Sequence, residues 1–280
     1  MNGILSVLTN NSGLVEDGAK KLFSEKDGDY GVLFESMEYS FYGAGKRIRP
    51  TLTLEFAKML GGSTEAALPL ALAVELVHNY SLVHDDLPCM DDDGMRRGKP
   101  SNHKVYGEAT ALLCGDALLT EAFSVICSAK TLSDSAKVRA VAVLSECAGA
   151  HGMIGGQQID LMGEEKKLTE TEHKKMNALK TGALIKCACL LGCIAANADE
   201  RAYEAAKIYA ENVGLAFQVT DDILDMGEED EKTTYLTFMS VEEAKEYAKS
   251  LTDTAVNAIS GYENSGTLIE LARFLQERSI

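Results

Sequence analysis

The sequence predicts an all-α fold, a bundle of long helices forming a single domain over residues 1–280. Three observations predict it. The only prolines are Pro50, Pro69, Pro88 and Pro100, so 101–280 contains none and is rich in Ala, Leu, Glu and Lys, the good helix formers. Apolar residues recur at three- and four-residue spacing through 66–86, 135–162 and 201–226, the period of an amphipathic helix. Alternating runs bounded by turn residues, the mark of half-buried strands, are nearly absent. Several periodic segments are apolar on more than one face, which suits helices surrounded by other helices.

Composition narrows the function. The chain is 46% hydrophobic with a formal net charge of -16. That charge argues against a nucleic-acid partner, because duplex binding needs many Lys and Arg on phosphates. No uninterrupted apolar run reaches the ~20 residues of a bilayer span, so no stable membrane insertion is expected. Residues 1–18 lack a basic start and an extended apolar stretch, which predicts a cytoplasmic protein with no secretory signal. Seven cysteines agree with a reducing compartment. Cys187, Cys189 and Cys193 lie in an apolar stretch without a nearby histidine, so they read as small core residues and not as zinc ligands.

Taken in order, the first chemically marked element is 43-GAGKRIRP-50, where Lys46, Arg47 and Arg49 stand among glycines. Glycine permits close backbone approach, and guanidinium forks match phosphate oxygens. The helical segment 66–86 follows after a break at 61–64. It carries His78 and Asp85 seven residues apart, two turns along one face, and leads into 84-HDDLPCMDDDGMRRGKP-100. Pro88 cannot donate to the carbonyl of His84, so the helix is disturbed just after Asp85 and Asp86. Periodicity alone leaves open whether Asp91, Asp92 or Asp93 joins Asp85. A regular helix would choose Asp92, and a bulge Asp91. Arg96, Arg97 and Lys99 come next.

The second acidic cluster lies in 217-FQVTDDILDM-226. Gln218, Asp221, Asp222 and Asp225 fall within a ~100° arc of one helix face. Like charges at that spacing repel, and the neighbouring Phe217, Val219, Ile223 and Leu224 are apolar. Carboxylates gathered on a partly buried face call for a cation, and Mg²⁺ typically combines one or two carboxylates with substrate phosphates. Two acidic clusters and two basic gatherings in so acidic a chain point to a diphosphate, held by Mg²⁺ on one side and by Arg and Lys on the other.

On these residues the chain resembles the trans-isoprenyl diphosphate synthases, in particular bacterial short-chain farnesyl and geranylgeranyl diphosphate synthases. The resemblance runs from about Tyr42 to Tyr235, more weakly to the C-terminus, through GAGKRIRP, HDDLPCMDDDGMRRGKPSNHKVYGEATALLCGDAL, GGQQIDL, KTGALI and GLAFQVTDDILD in the family's order. It implies a helical bundle around a central substrate cavity, a homodimer, and head-to-tail prenyl transfer from allylic diphosphates (dimethylallyl, geranyl) to isopentenyl diphosphate. Farnesyl diphosphate is the implied product and geranylgeranyl diphosphate the alternative. A non-catalytic partner subunit would be expected to lose motif carboxylates or arginines, and a terpene cyclase generally keeps only one such aspartate-rich motif.

The resemblance also implies roles. Asp85, Asp86 and Asp91 match the first aspartate motif, with Asp85 and Asp91 as Mg²⁺ ligands. Asp221, Asp222 and Asp225 match the second, with Asp221 on a further ion, about two or three ions in all. Arg96 corresponds to the allylic diphosphate contact. Gly45, Lys46, Arg49, His78 and Arg97 correspond to the isopentenyl diphosphate site, and Lys180, Thr181, Gln218 and Lys232 to the remaining substrate contacts. Tyr80, five residues before Asp85, corresponds to an aromatic associated with stopping at farnesyl, although Ser81 lies closer by angle to the Asp85 face. One departure stands out. Only MGEEDE separates Asp225 from 232-KTTY-235, where the family usually has a longer loop; either the loop is short or the chain as given omits a segment.

Overall fold

The computed structural model describes residues 2–24, 26–42, 45–226 and 233–277. Helices α1 (Asn2–Ala19), α2 (Gly31–Phe41), α3 (Ile48–Met59) and α4 (Thr64–Asp85) come first. A two-stranded hairpin, β1 (Met95–Arg96) and β2 (Lys99–Pro100), separates them from α5 (Asn102–Tyr106), α6 (Glu108–Ser128), α7 (Asp134–Ala148) and α8 (Met153–Glu165). Helix α9 (Glu170–Asn177) runs through a π-helical turn (Ala178–Gly182) into α10 (Ala183–Ala195). Helix α11 (Glu200–Leu224), a 3₁₀ turn (Tyr235–Thr237), α12 (Val241–Ile259) and α13 (Gly266–Gln276) complete the described chain. The all-α expectation holds.

Helix α4 lies at the centre, packed by α3, α6 and α10. Its burial explains why its sequence is apolar on nearly every face: Leu70, Ala71, Ala73, Val74, Leu76 and Val77 are all inaccessible. Ser63 starts it, accepting the Ala66 amide at 3.2 Å, a common helix N-cap. Helices α3 and α10 approach closely because Gly192 has no side chain; a Cβ there would stand 2.6 Å from Phe56 Cβ.

The structure adds one element that the sequence does not single out and corrects two expectations. Residues 95–100 form a hairpin in which Arg97 and Gly98 both have positive φ, 52° and 80°, the turn geometry that suits the twist of paired strands. Arg47 does not join an anion site. It is buried, at a φ of 47°, with Nη1 2.6 Å from Glu75 Oε1 and Nη2 donating to the Phe41 carbonyl. Three helical segments are long and apolar enough to cross a membrane by length and composition: Thr64–Asp85, Glu108–Ser128 and Glu170–Ala195. Each is interrupted by polar residues, which a span tolerates occasionally, so the absence of an uninterrupted apolar run does not exclude them. In the fold 67% and 61% of the first and third windows are buried, but only 39% of the second, on α6. All seven cysteines are free thiols.

Candidate active site

The first aspartate motif is shaped by the way α4 ends. After Asp85 the chain turns through Pro88, and the Asp91 amide donates back to the Asp85 carbonyl at 2.9 Å. The Asp92 amide donates to Leu87 O at 3.2 Å, and Asp92 takes a φ of 49°. Asp91 is thereby folded back beside Asp85, while the Asp92 carboxylate turns to Lys104 at 3.4 Å. Asp86 faces the other way. It is buried and accepts from Arg96 Nε at 2.8 Å and from Arg96 Nη2, and Arg96 also reaches Asp93 at 2.9 Å. Arg96 is thus held by two carboxylates on the hairpin side of α4.

A cavity of ≈ 540 Å³ opens beside Asp85. Arg49, His78, Asp85, Lys180 and Thr181 are among its polar lining residues; Tyr80, Leu119, Met153, Ile154 and Leu161 are among its apolar ones. Burial pushes the Asp85 carboxyl up to about 6, with Lys180 opposing and Asp91 adding to the rise. A carboxylate in that position gains from a cation.

The basic gathering is assembled from two segments. Gly45 lets the Arg97 guanidinium lie against the backbone, since a Cβ there would stand 2.8 Å from Arg97 Nη1. Arg97 Nη2 donates to His78 Nε2 at 3.3 Å, which fixes His78 as neutral with its proton on Nδ1. Burial, with Arg49 and Arg97 nearby, holds its pKa well below the usual value. Arg49 Nε is buried without a hydrogen-bond partner, and burial draws the Arg49 pKa down to about 10. Lys46 is exposed, its Nζ 5.7 Å above the Phe274 ring of α13.

Lys180 and Thr181 sit on the π-turn, between the cavity and a smaller polar one that Gln218 and Asp222 also line. Gly156 on α8 allows this, because a Cβ there would lie 2.1 Å from the Lys180 amide nitrogen. Lys180 Nζ meets Asp160 Oδ2 at 2.5 Å. Asp160 belongs to GGQQIDL, and a carboxylate two residues beyond paired glutamines is its signal in the sequence. Gln218 Nε2 donates to Asn177 Oδ1 at 3.4 Å. Asp222 Oδ2 accepts the Tyr235 amide at 2.6 Å, so this carboxylate also anchors the segment after the second motif. Asp221 is half-buried and Asp225 exposed at the end of α11. Lys232 and 227–231 lie outside the described residues.

No three His, Cys, Asp or Glu side chains converge as a self-sufficient metal site among the described residues. The donor set fits Mg²⁺ all the same, because that ion takes one or two carboxylates with substrate phosphates and water, and Asp85 with Asp91 is such a pair.

Comparison with known proteins agrees with this geometry. Residues 31–245 match the family model described as polyprenyl synthetase. A geranylgeranyl diphosphate synthase of Cyanophora paradoxa is 39% identical over 99% of this chain and 97% of its own length. A farnesyl diphosphate synthase of Bacillus subtilis (strain 168) is 39% identical over 87% of each. The crystal structure of an FPP/GFPP synthase from Zymomonas mobilis superposes with a TM-score of 0.89 at 35% identity, covering 96% of this chain and 99% of that one.

Proposed function

This chain belongs to the polyprenyl synthetase family, and we propose that it is a short-chain trans-prenyltransferase that condenses isopentenyl diphosphate with dimethylallyl and geranyl diphosphates to farnesyl diphosphate. The observation that carries the reading is the cavity beside Asp85, where Arg49, His78 and Lys180 share one enclosure with Tyr80, Leu119, Met153 and Ile154. Charge and apolar surface in one space suit an amphiphile with a diphosphate head and a hydrocarbon tail.

Asp85 and Asp91, together with Asp221 on α11, would hold Mg²⁺, which would supply charge neutralisation to the leaving diphosphate. Lys180, drawn from Asp160 to the phosphate oxygens, adds a positioned positive charge as the allylic C–O bond ionises. Arg49, Arg97 and His78 orient isopentenyl diphosphate, whose double bond attacks the carbocation, with Lys46 and the Gly45 backbone completing its enclosure. Thr181 and Gln218 turn oxygens toward the cation. The departing diphosphate takes the proton, and the apolar walls exclude water that would trap the cation as an alcohol. Arg96, held by Asp86 and Asp93, would meet the allylic diphosphate from the hairpin side.

Tyr80 supports farnesyl as the end point, since a buried ring ~7 Å along α4 from Asp85 limits the tail. The name of the Cyanophora relative favours geranylgeranyl diphosphate as the second reading. A non-catalytic subunit is the third, opposed by the retained carboxylates and arginines. We take the chain as one catalytic domain acting in a reducing cytoplasm and pairing as a homodimer through α6, where Leu112 and Leu113 are 48% and 56% exposed. Incubation with Mg²⁺, dimethylallyl diphosphate and labelled isopentenyl diphosphate, followed by sizing of the extracted product, tests the reading. A fifteen-carbon product that disappears with EDTA is expected. A twenty-carbon product would move the assignment to the second reading, and no product at all would sink the condensation.

A further inference from the structure

We propose that Gly115 on α6 and His84 on α4 set the length of the product by buttressing Tyr80, so that the α4–α6 contact, and not Tyr80 alone, fixes the boundary of the cavity. The inference rests on the condensation reading above.

Tyr80 lines the cavity and is 5% exposed, yet its buried hydroxyl has no hydrogen-bond partner. No polar contact fixes the ring, so packing decides where it stands. Its ring neighbour is His84, edge-on at a centroid distance of 5.7 Å and an interplanar angle of 79°. His84 also lines the cavity, and it is anchored where Tyr80 is not. Its Nε2 lies 3.0 Å from the Leu112 carbonyl; a carbonyl only accepts, so this nitrogen carries the proton and donates.

The same imidazole fills the space that Gly115 leaves on α6. A Cβ at Gly115 would stand 2.0 Å from His84 Nε2 and 2.2 Å from Cδ2. Gly115 lies within a regular helix and is not among the residues of positive φ. Its lack of a side chain, and not its backbone freedom, is therefore what the contact uses. By helical angle Tyr80 and His84 share one stripe of α4, ~40° apart, and Ser81 and Asp85 form the next. His84 thus stands between the carboxylate end of the cavity and Tyr80, on the side of α6. Leu119, one turn beyond Gly115, continues the wall.

The consequence has a direction. A methyl group at Gly115 drives the imidazole out of its slot, and the open side is the cavity, so Tyr80 and His84 together leave less room for the tail. Removing the imidazole gives the unanchored Tyr80 ring a space to lean into, and the cavity deepens.

Product sizing tests this with the unaltered chain, Gly115→Ala, His84→Ala and the double variant in the same assay. Gly115→Ala is expected to shift the product by one isoprene unit toward shorter chains, and His84→Ala toward longer ones. Each shift should change the product ratio roughly tenfold, as a small steric change in an apolar pocket does. The double variant loses the shortening, because the methyl group no longer has a ring to displace. A purely structural role for Gly115 would lower activity without moving the product ratio. An unchanged ratio in Gly115→Ala, or a shortening that persists in the double variant, overturns the proposal. If melting shows that Gly115→Ala does not fold, an unchanged ratio in His84→Ala overturns it instead. No prenyl product from the unaltered chain overturns the condensation reading, and this inference with it.

Discussion

Tyr80 and Arg47 show how much a single side chain carries. If Tyr80 limits the tail, Tyr80→Ala removes the ring and lengthens the product, which the same sizing assay reads; an unchanged distribution would show that another residue closes the cavity. Arg47 is a different case. Its guanidinium is inaccessible and pairs with a Glu75 that is almost equally buried, while Asn79 donates to the same Glu75 oxygen at 3.2 Å. Removing one partner of such a pair strands the other charge in a poorly solvated interior. Arg47→Met is expected to cost ~3–5 kcal/mol in urea unfolding. A loss below ~1 kcal/mol would mean that water or another cation reaches Glu75.

At the scale of elements, the π-turn between α9 and α10 depends on a single close approach. Gly156 lets α8 touch the Lys180 amide, so Gly156→Ala should push the turn away and move Lys180 and Thr181 together. Misplacement by about 1 Å can cost ~10²-fold in rate, and a kcat within threefold of the parent would show that the turn adjusts freely. The 3₁₀ turn docks through His173, which meets the Tyr235 ring edge-on at 4.7 Å and accepts from Asn177 Nδ2 at 3.2 Å. Burial lowers the pKa of His173. A histidine whose folded pKa lies below its unfolded value stabilises fully above the unfolded value, and that stability is lost as pH falls through the folded one, by up to ~1.4 kcal/mol per pH unit. His78 contributes with the same sign. Asp85, raised to about 6, works in the opposite sense over the same range, so the test is differential: between pH 7 and pH 5 the thermal midpoint of His173→Gln should fall less, or rise more, than that of the parent, and identical slopes would place the titration elsewhere.

For the molecule as a whole, the outer face of α6 is an apolar surface that one chain leaves uncovered among the described residues. Leu112 and Leu113 face outward on a helix with a long, mostly apolar stretch. If a second copy covers them, Leu113→Glu should yield monomers in sedimentation velocity, whereas a dimer of unchanged affinity would place the interface on another face.

The all-α class, the helical segments and the residue types gathered at the candidate site were determined by the sequence itself. Helical periodicity shows which residues share a face, and carboxylates crowded on an apolar helix already imply a cation. Periodicity does not say what a face packs against, and there the tertiary structure decided. Asp91 joins Asp85 because its amide closes back onto the Asp85 carbonyl. Of three neighbouring cations, Arg47 turns inward to Glu75 while Arg49 lines the cavity. The slot that Gly115 leaves for His84 joins residues far apart in sequence, and a contact of that kind leaves no local signal, because a glycine inside a helical pattern looks the same whether it is a tolerated gap or a space another helix must fill.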